Sequence, residues 1–484
     1  MTESPKDTHT ASVPLSFKTK LGYGLGNLSV MTAKQAPKQL ALPVYNVALG
    51  VNPGAVGTLL ALGRVWDAIT DPLVGHWSDK AVTRWGRRKP FVLGGAFATG
   101  VFFAAMWMFP RGLSSGQYLG YFAVTSFLFY LALGFFSVPW YAMGYELAGN
   151  YDERTKLMAF PSIFGPVGQI LVGWLYWFTQ RDMFADTIEG VRCVGMGAGL
   201  ILLIFGLMPV LLVKERALPA SPAPPVVDPP KKRRPKTSFL AGVKAAVSNG
   251  PFMLLTVTFT MIVVGTSMVN GLGFYVHVYY LFDGDTKIAS ELVGWHTTVW
   301  LVCSMCMTPL MAWLSVRFGK KEIFIAALVW GVFRMIVLWF VLAPSHPWLV
   351  LINAALAGVD NAAIFMLCHA MIADICDLDE LRNGTRREGL FGALYAWFFK
   401  TGIALSFALS GYILTWIGFD RDLGGAQSES TLLLMKACYC GIPALMFAAA
   451  IAVFAGYPIS RRVADDVRAQ LAGRQRAGRQ KQAG

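Results

Sequence analysis

Apolar stretches of about twenty residues or more, separated by short polar breaks, run through this chain from one end to the other. Twelve can be delimited: residues 21–49, 54–78, 90–109, 117–147, 157–179, 191–213, 252–282, 289–315, 322–343, 348–374, 388–417 and 430–456. Each has the length and composition of a membrane-spanning helix. The pattern therefore predicts an all-α membrane protein. Several stretches exceed 25 residues, which implies tilt, kinks or extension beyond the bilayer. Pro37, Pro43, Pro161, Pro166 and Pro309 are the expected kink sites.

The breaks carry an orientation signal. When they are allotted alternately to two sides, starting with the N-terminus inside, the inside regions hold 31 of the 42 Lys and Arg residues and the outside loops five. That bias predicts both termini in the cytoplasm. Residues 1–17 are polar and lack the apolar core of a cleaved signal peptide.

The longest polar break divides the chain. Residues 219–236 are rich in proline and end in a Lys-Lys-Arg-Arg run, too broken to be helical and too basic to cross a membrane. They read as a semi-rigid cytoplasmic linker that contacts anionic lipid headgroups. The expected organisation is a tail at 1–19, a six-helix bundle at 20–214, the linker at 215–250, a second six-helix bundle at 251–457 and a basic cytoplasmic tail at 458–484. The halves echo each other. Asp71-Pro72 and Arg84-Trp85-Gly86, between the second and third stretches, match Thr308-Pro309 and Arg317-Phe318-Gly319, between the eighth and ninth. Glu146 and Arg154, after the fourth, match Asp374, Asp377 and Arg386-Arg387-Glu388, after the tenth. Such repeats resemble the architecture of the major facilitator superfamily.

Composition alters this picture little. Only 14% of residues are charged and 55% are hydrophobic, as lipid solvation requires. The net charge of +14 raises nucleic acid as a partner, but the basic residues lie between apolar segments and form no separable domain. The seven cysteines include Cys303-x-x-Cys306 and Cys438-x-Cys440 without accompanying ligands, so buried free thiols are expected and a metal site is not.

Candidate chemistry concentrates in Arg64-Val-Trp-Asp67-Ala-Ile-Thr-Asp71-Pro72. On a helix, positions 64, 67 and 71 fall within roughly 60° of one another, forming one charged stripe. An unpaired charge at the bilayer centre costs roughly 2.5–3.5 kcal/mol, so such residues face a partner or an aqueous cavity. Two carboxylates one turn apart repel, and holding a proton or sharing a cation relieves them.

At this stripe and elsewhere the chain is similar to the glycoside–pentoside–hexuronide:cation symporters, the melibiose permease-like branch of the superfamily. The matching blocks are Tyr23-Gly-Leu-Gly26, Arg64-x-Trp-Asp67-Ala-x-x-Asp71-Pro72, Arg84-Trp-Gly86, Pro139-Trp-Tyr141, Ala373-Asp374 with Asp377, and Arg387-Glu388 with Lys400-x-Gly402. The resemblance implies Asp67 and Asp71 as ligands of a coupling cation, H+ or Na+, with Thr70 beside them. It also implies Arg64 and Lys400 as charge partners. The pattern departs from the family at the sugar site. Met31 and Ser137 stand at acidic positions, Tyr141 at a stacking tryptophan and Ser162 at an arginine, which argues against a galactoside. Thr70 replaces an asparagine and Gly134 a threonine, and fewer oxygens favour the proton.

Other residues have two readings each. Lys34 and Lys38, one turn apart, either hold an anionic group such as a uronate carboxylate or line a vestibule and pair with an acid such as Asp360. Tyr141 either stacks on a sugar ring or packs. Asp79, Arg84, Glu146 and Arg154, with Arg386 and Arg387 opposite, either gate the cytoplasmic side or simply set topology.

The expectation is a multi-pass, plasma-membrane symporter (inner-membrane in a bacterium). It moves a sugar, glycoside or hexuronide by alternating access, as a monomer, without cofactor, metal or nucleic acid. A carrier of an amphiphile such as a lysolipid and a non-transporting sensor or scaffold are the alternatives. An intramembrane aspartyl hydrolase is disfavoured, because its aspartates come from different helices.

Overall fold

The structure is a computed structural model and describes residues 15–483, except 82, 84, 148–150, 214–242, 245 and 385–386. The linker expected between the halves falls almost wholly outside the described residues. All the regular structure described is helical. The long helices are α1 (Phe17–Ala41), α2 (Pro53–Lys80), α3 (Lys89–Met106), α4 (Ser115–Leu147), α5 (Tyr151–Thr179), α6 (Thr187–Leu212), α7 (Gly250–Tyr275), α8 (Thr286–Phe318), α9 (Lys320–Val341), α10 (Val350–Asn383), α11 (Glu388–Trp416) and α12 (Glu429–Phe454). Among the described residues, α3 to α12 supply the ten spans that meet the length and apolarity needed to cross a membrane. Helices α1 and α2 fall outside that set; they carry Lys18, Lys20, Lys34 and Lys38, and Arg64, Asp67, Asp71, Asp79 and Lys80. The apolar stretches thus correspond to helices. The longest differences are at α10, which runs on to Asn383, and at α5, which starts at Tyr151.

Packing repeats with a six-helix shift. Helix α1 packs on α5 and α6, α3 on α4 and α6, and α2 on α4; in the same way α7 packs on α11 and α12, α9 on α10 and α12, and α8 on α10. Among the described residues, the most extensive contacts between the halves are α2 with α11 and α5 with α8, and these also exchange under the repeat. The turns into α3 and α9 match in conformation: Gly86 has φ 100° and Gly319 φ 108°, left-handed values that favour glycine.

The starts of α1 and α7 and the ends of α6 and α12 share one face, here called the terminal face. The α1–α2 and α7–α8 connections lie at the distal face. There α1 runs into a π-helical turn, Leu42–Ala48, with Pro43 inside it, and α7 into another, Val276–Leu281. One buried apolar cluster runs from the first half through the distal part of the second, including Tyr45, Tyr275, Leu281 and Phe407. A second cluster is confined to the rest of the second half, around Phe259, Phe324, Leu367 and Phe391.

Two details depart from the sequence reading. Residues 461–483, expected only as a basic tail, form helix α13 (Arg461–Ala483). Alanine, glutamine and arginine are strong helix formers, and Val467 is buried where α13 lies on α10. None of the seven cysteines is in a disulfide, but Cys193 and Cys306 are exposed; only Cys368, Cys376 and Cys440 are buried.

Candidate cation and substrate site

Helix α2 presents the acidic stripe. Asn52 caps it, accepting a bond from the Ala55 backbone NH, and Pro53 starts the first turn. The helix continues through Pro72, which lacks the NH that would bond the carbonyl one turn earlier. Asp67 is buried, 3% exposed, and Asp71 is half-buried. Lys400 of α11 reaches across from the second half: its Nζ lies 2.6 Å from Asp71 Oδ2 and 3.2 Å from Asp67 Oδ2. One ammonium therefore serves two carboxylates. Asp71 Oδ1 is buried and has no hydrogen-bond partner. The Thr70 hydroxyl donates to the carbonyl of Trp66 at 3.1 Å. Gly134 of α4 faces this spot, so that a Cβ there would stand 3.5 Å from Asp71 Oδ1 and 3.8 Å from Thr70 Oγ1. The missing threonine side chain is missing from the carboxylates' own surroundings.

Arg64 shares the helix face but not the ion pair. Its guanidinium donates to the backbone carbonyl of Lys34 at 2.6 Å and lies over the Tyr130 ring at 5.2 Å. Lys400 enters from α11 and occupies the carboxylates, so Arg64 turns to α1 and α4 instead. It is 6% exposed, and its Nε has no partner.

The two α1 lysines also differ from expectation. Asp360 is held by Arg334, at 3.1 Å and 3.2 Å, inside the second half, and is not available to them. Lys38 Nζ donates to Gln35 Oε1 at 2.9 Å and lies over Phe407 of α11. Lys34 Nζ lies 5.1 Å from the centre of the Tyr141 ring. Neither lysine makes an ion pair among the described residues. Tyr141 sits edge-on to Trp140, which stacks on Tyr23. Met31 and Tyr141 are half-buried and Ser137 is buried, whereas Ser162 is exposed and bonds the Ala159 carbonyl of its own helix. Lys34 of α1 and Tyr141 of α4 thus meet, Met31 lies against Gly165 of α5, and no contact among the described residues places Ser162 with Lys34 and Tyr141.

The expected gate residues form networks within each half. Arg88 bonds Glu146 at 2.7 Å and Asp79 at 3.0 Å, and Arg87 also reaches Glu146. Arg387 pairs with Asp379 at 2.6 Å, and Asp374 receives Lys320 and Arg468, each at 2.6 Å. The sequence echo between Glu146 and Asp374 is therefore physical: each acid pins a cation at the head of α3 or α9. Arg84 and Arg386 lie outside the described residues, as does the side chain of Arg154.

Contacts between the halves that sequence reasoning missed cluster at the distal face. Tyr275 Oη donates to Asn46 Oδ1 at 2.6 Å, where the two π-helical turns meet. Thr286 donates to Gln180 at 3.0 Å, Trp174 Nε1 to Thr298 at 3.0 Å, and Lys287 to Asp182 at 2.5 Å. Lys287 holds the Asp182 carboxyl below the usual carboxylate range, by that hydrogen bond first and by its charge second. A Cβ on Gly411 would lie 2.5 Å from the Pro53 carbonyl, and one on Gly57 2.6 Å from the Phe407 carbonyl, so α2 and α11 touch backbone to backbone.

A repeated pair of helical halves, joined at one face and bridged in mid-helix by a lysine on two aspartates, is the build of a membrane carrier. Residues 22–461 match the model of the MFS/sugar transport proteins, and the chain belongs to that family within the major facilitator superfamily. It is similar to the putative glycoside/cation symporter YagG of Escherichia coli, 25% identical over 94% of this chain and 95% of that one. It is equally similar, at 25% identity over 84% and 79%, to the sodium-dependent lysophosphatidylcholine symporter 1-A of Danio rerio. Among solved structures, the D-xylose–proton symporter superposes with a TM-score of 0.60 at 18% identity, over 92% of this chain and 98% of that one. The protein is a multi-pass membrane transporter of the cation-symporter type.

Proposed function

We propose that the protein couples a cation gradient to the uptake of a sugar, glycoside or hexuronide by alternating access of its two halves. The lysine bridge carries this reading: Lys400 of one half neutralises Asp67 and Asp71 of the other. A cation on the carboxylates competes with Lys400 for the same oxygens, so loading the pair changes the force between the halves. That is the differential interaction a two-state switch requires. Thr70 and the unpartnered Asp71 Oδ1 complete the donor set. Sodium wants about six oxygens by analogy with other hard cations. Two carboxylates and one hydroxyl fit a proton better.

In this reading α1 and α2 are spans like the other ten, making two six-helix bundles at 20–214 and 251–457. The lysine and arginine bias makes the terminal face cytoplasmic. The distal face, sealed by Asn46–Tyr275 and its neighbours, is then extracellular. Asp79, Arg84, Glu146, Arg154, Arg386 and Arg387 belong to the cytoplasmic gate, exchanging partners between halves when that side closes. Tyr141, Lys34, Met31, Ser137 and Ser162 line the substrate path from the first half.

An amphiphilic substrate is the second reading, favoured by the apolar Met31 and by the likeness to a lysophosphatidylcholine symporter. Uptake into proteoliposomes of neutral glycosides, uronides and lysolipids, with and without sodium and pH gradients, separates the two. Accumulation of a carbohydrate only under one gradient is expected. Uptake of every compound indifferent to both gradients would refute symport.

A further inference from the structure

We infer that the transported solute carries a negative charge, and that Lys34, Lys38 and Arg64 form the subsite that receives it; this rests on the transport reading above. Four cations meet around mid-helix, Lys34, Lys38, Arg64 and Lys400, and the carboxylates there are Asp67 and Asp71. Both aspartates are already shared by Lys400, which leaves three cations without an ion pair among the described residues, Asp71 and Asp67 acting on Lys34 and Lys38 only from a distance. The acid that sequence spacing offers them, Asp360, belongs to Arg334.

What these three cations do bind is telling. Lys34 and Lys38 lie over the Tyr141 and Phe407 rings, and Lys38 also bonds the Gln35 side-chain carbonyl. Arg64 takes the Lys34 carbonyl and the Tyr130 ring. Rings and neutral carbonyls orient a cation without neutralising it. Arg64 is 6% exposed, and its Nε is an unused buried donor. Two lysines one turn apart on α1 repel each other when nothing lies between them. A carboxylate, sulfate or phosphate between the lysines relieves all of this, with ammonium and guanidinium as donors.

The arrangement also explains how cation and solute travel together. A proton or sodium ion on the aspartates removes negative charge from the cluster and releases Lys400, so the attraction for an anion rises. By linkage, the bound anion tightens cation binding by the same factor. Tyr141, under Lys34, presents a flat face to the apolar side of a ring that carries the charge. Together these features point to an acidic carbohydrate or a comparable ring-bearing organic anion.

Probe pairs that differ in an anionic group at C6 test the inference: methyl β-D-glucuronide with methyl β-D-glucoside, and glucose 6-phosphate and glucose 6-sulfate with glucose. Thermal stabilisation of the detergent-purified protein reads binding, and proteoliposome uptake reads transport. At least one anionic member is expected to stabilise the protein and its neutral partner not. Lys34→Gln and Lys38→Gln should each raise the concentration needed for half-stabilisation about tenfold, and Lys34→Arg should restore most of it. Stabilisation by a neutral member equal to that by its anionic partner overturns the inference, as does the lack of stabilisation by any anion. Stabilisation by chloride alone reduces the site to an inorganic anion site and also overturns it. Gradient-driven uptake of a neutral glycoside, unchanged in Lys34→Gln, would leave symport standing while the anionic substrate falls. Charge-selective binding with uptake indifferent to gradients would do the reverse.

Discussion

At the scale of single residues, Lys400 bridges two carboxylates of the other half. Removing one partner of a buried ion pair strands the other, at a cost of about 3–5 kcal/mol. Lys400→Gln strands two carboxylates. It is expected to lower the unfolding temperature in detergent, and Asp71→Asn on top of it should recover part of the loss. A double mutant no more stable than Lys400→Gln alone would mean that the bridge does not hold the charges in check. Gly134→Thr makes a second test. The position has room, since a Cβ there meets its nearest atoms at 3.5 Å or more, and a hydroxyl would join Asp71 Oδ1 and Thr70. The expected outcome is sodium stimulation of uptake, measured at constant pH, in the variant beyond that of the parent. The aspartates were legible because a carboxylate in an apolar helix is too costly to be incidental. Lys400 was not legible from local pattern; it came from resemblance, since no spacing rule says which lysine, 329 positions away, will arrive. Arg64 shares the helix face with the aspartates but meets the Lys34 carbonyl and the Tyr130 ring, because a helix face does not say what enters from another helix.

At the scale of elements, apolar length read out the helices well, and the sequence echo between the halves has its counterpart in a repeat of their packing. The closing of the distal face was beyond it. Asn46 and Tyr275 look like ordinary residues at helix ends, and only the paired π-helical turns bring them to 2.6 Å. The α2–α11 contact is similar, for a glycine gives no hint of which carbonyl it lies against. Gly411→Val places side-chain atoms against the Pro53 carbonyl, where even a Cβ would be 2.5 Å away. This should separate α2 and α11 at the distal face. Spin labels at the distal ends of the two helices are expected to move apart; an unchanged distance distribution would show that the backbone contact does not set the closure. Helix α13 was hidden for another reason. A basic, alanine-rich segment reads as a tail until its burial is known, and Arg468 on Asp374 with Val467 inward supplies that burial.

At the scale of the whole molecule, the described contacts between halves form two tiers: the distal seal and the lysine bridge. The tiers respond differently to pH. Lys287 depresses the Asp182 carboxyl, so that pair contributes fully above the ordinary aspartate range of about 4 and is lost only as pH falls through the depressed value. Asp182→Asn should therefore leave the shape of the uptake–pH profile between pH 5 and 8 unchanged while favouring the distal-open state. A profile altered within that window would place a titrating role at the seal. In the proposed reading, coupling belongs to the aspartates. The measurement that tests this most directly is accumulation against equilibrium exchange, compared between the parent protein and Asp67→Asn in the same proteoliposomes. Loss of gradient-driven accumulation in Asp67→Asn, by tenfold or more, is the result expected if the aspartate pair is the cation switch. Accumulation at the parent level would contradict it.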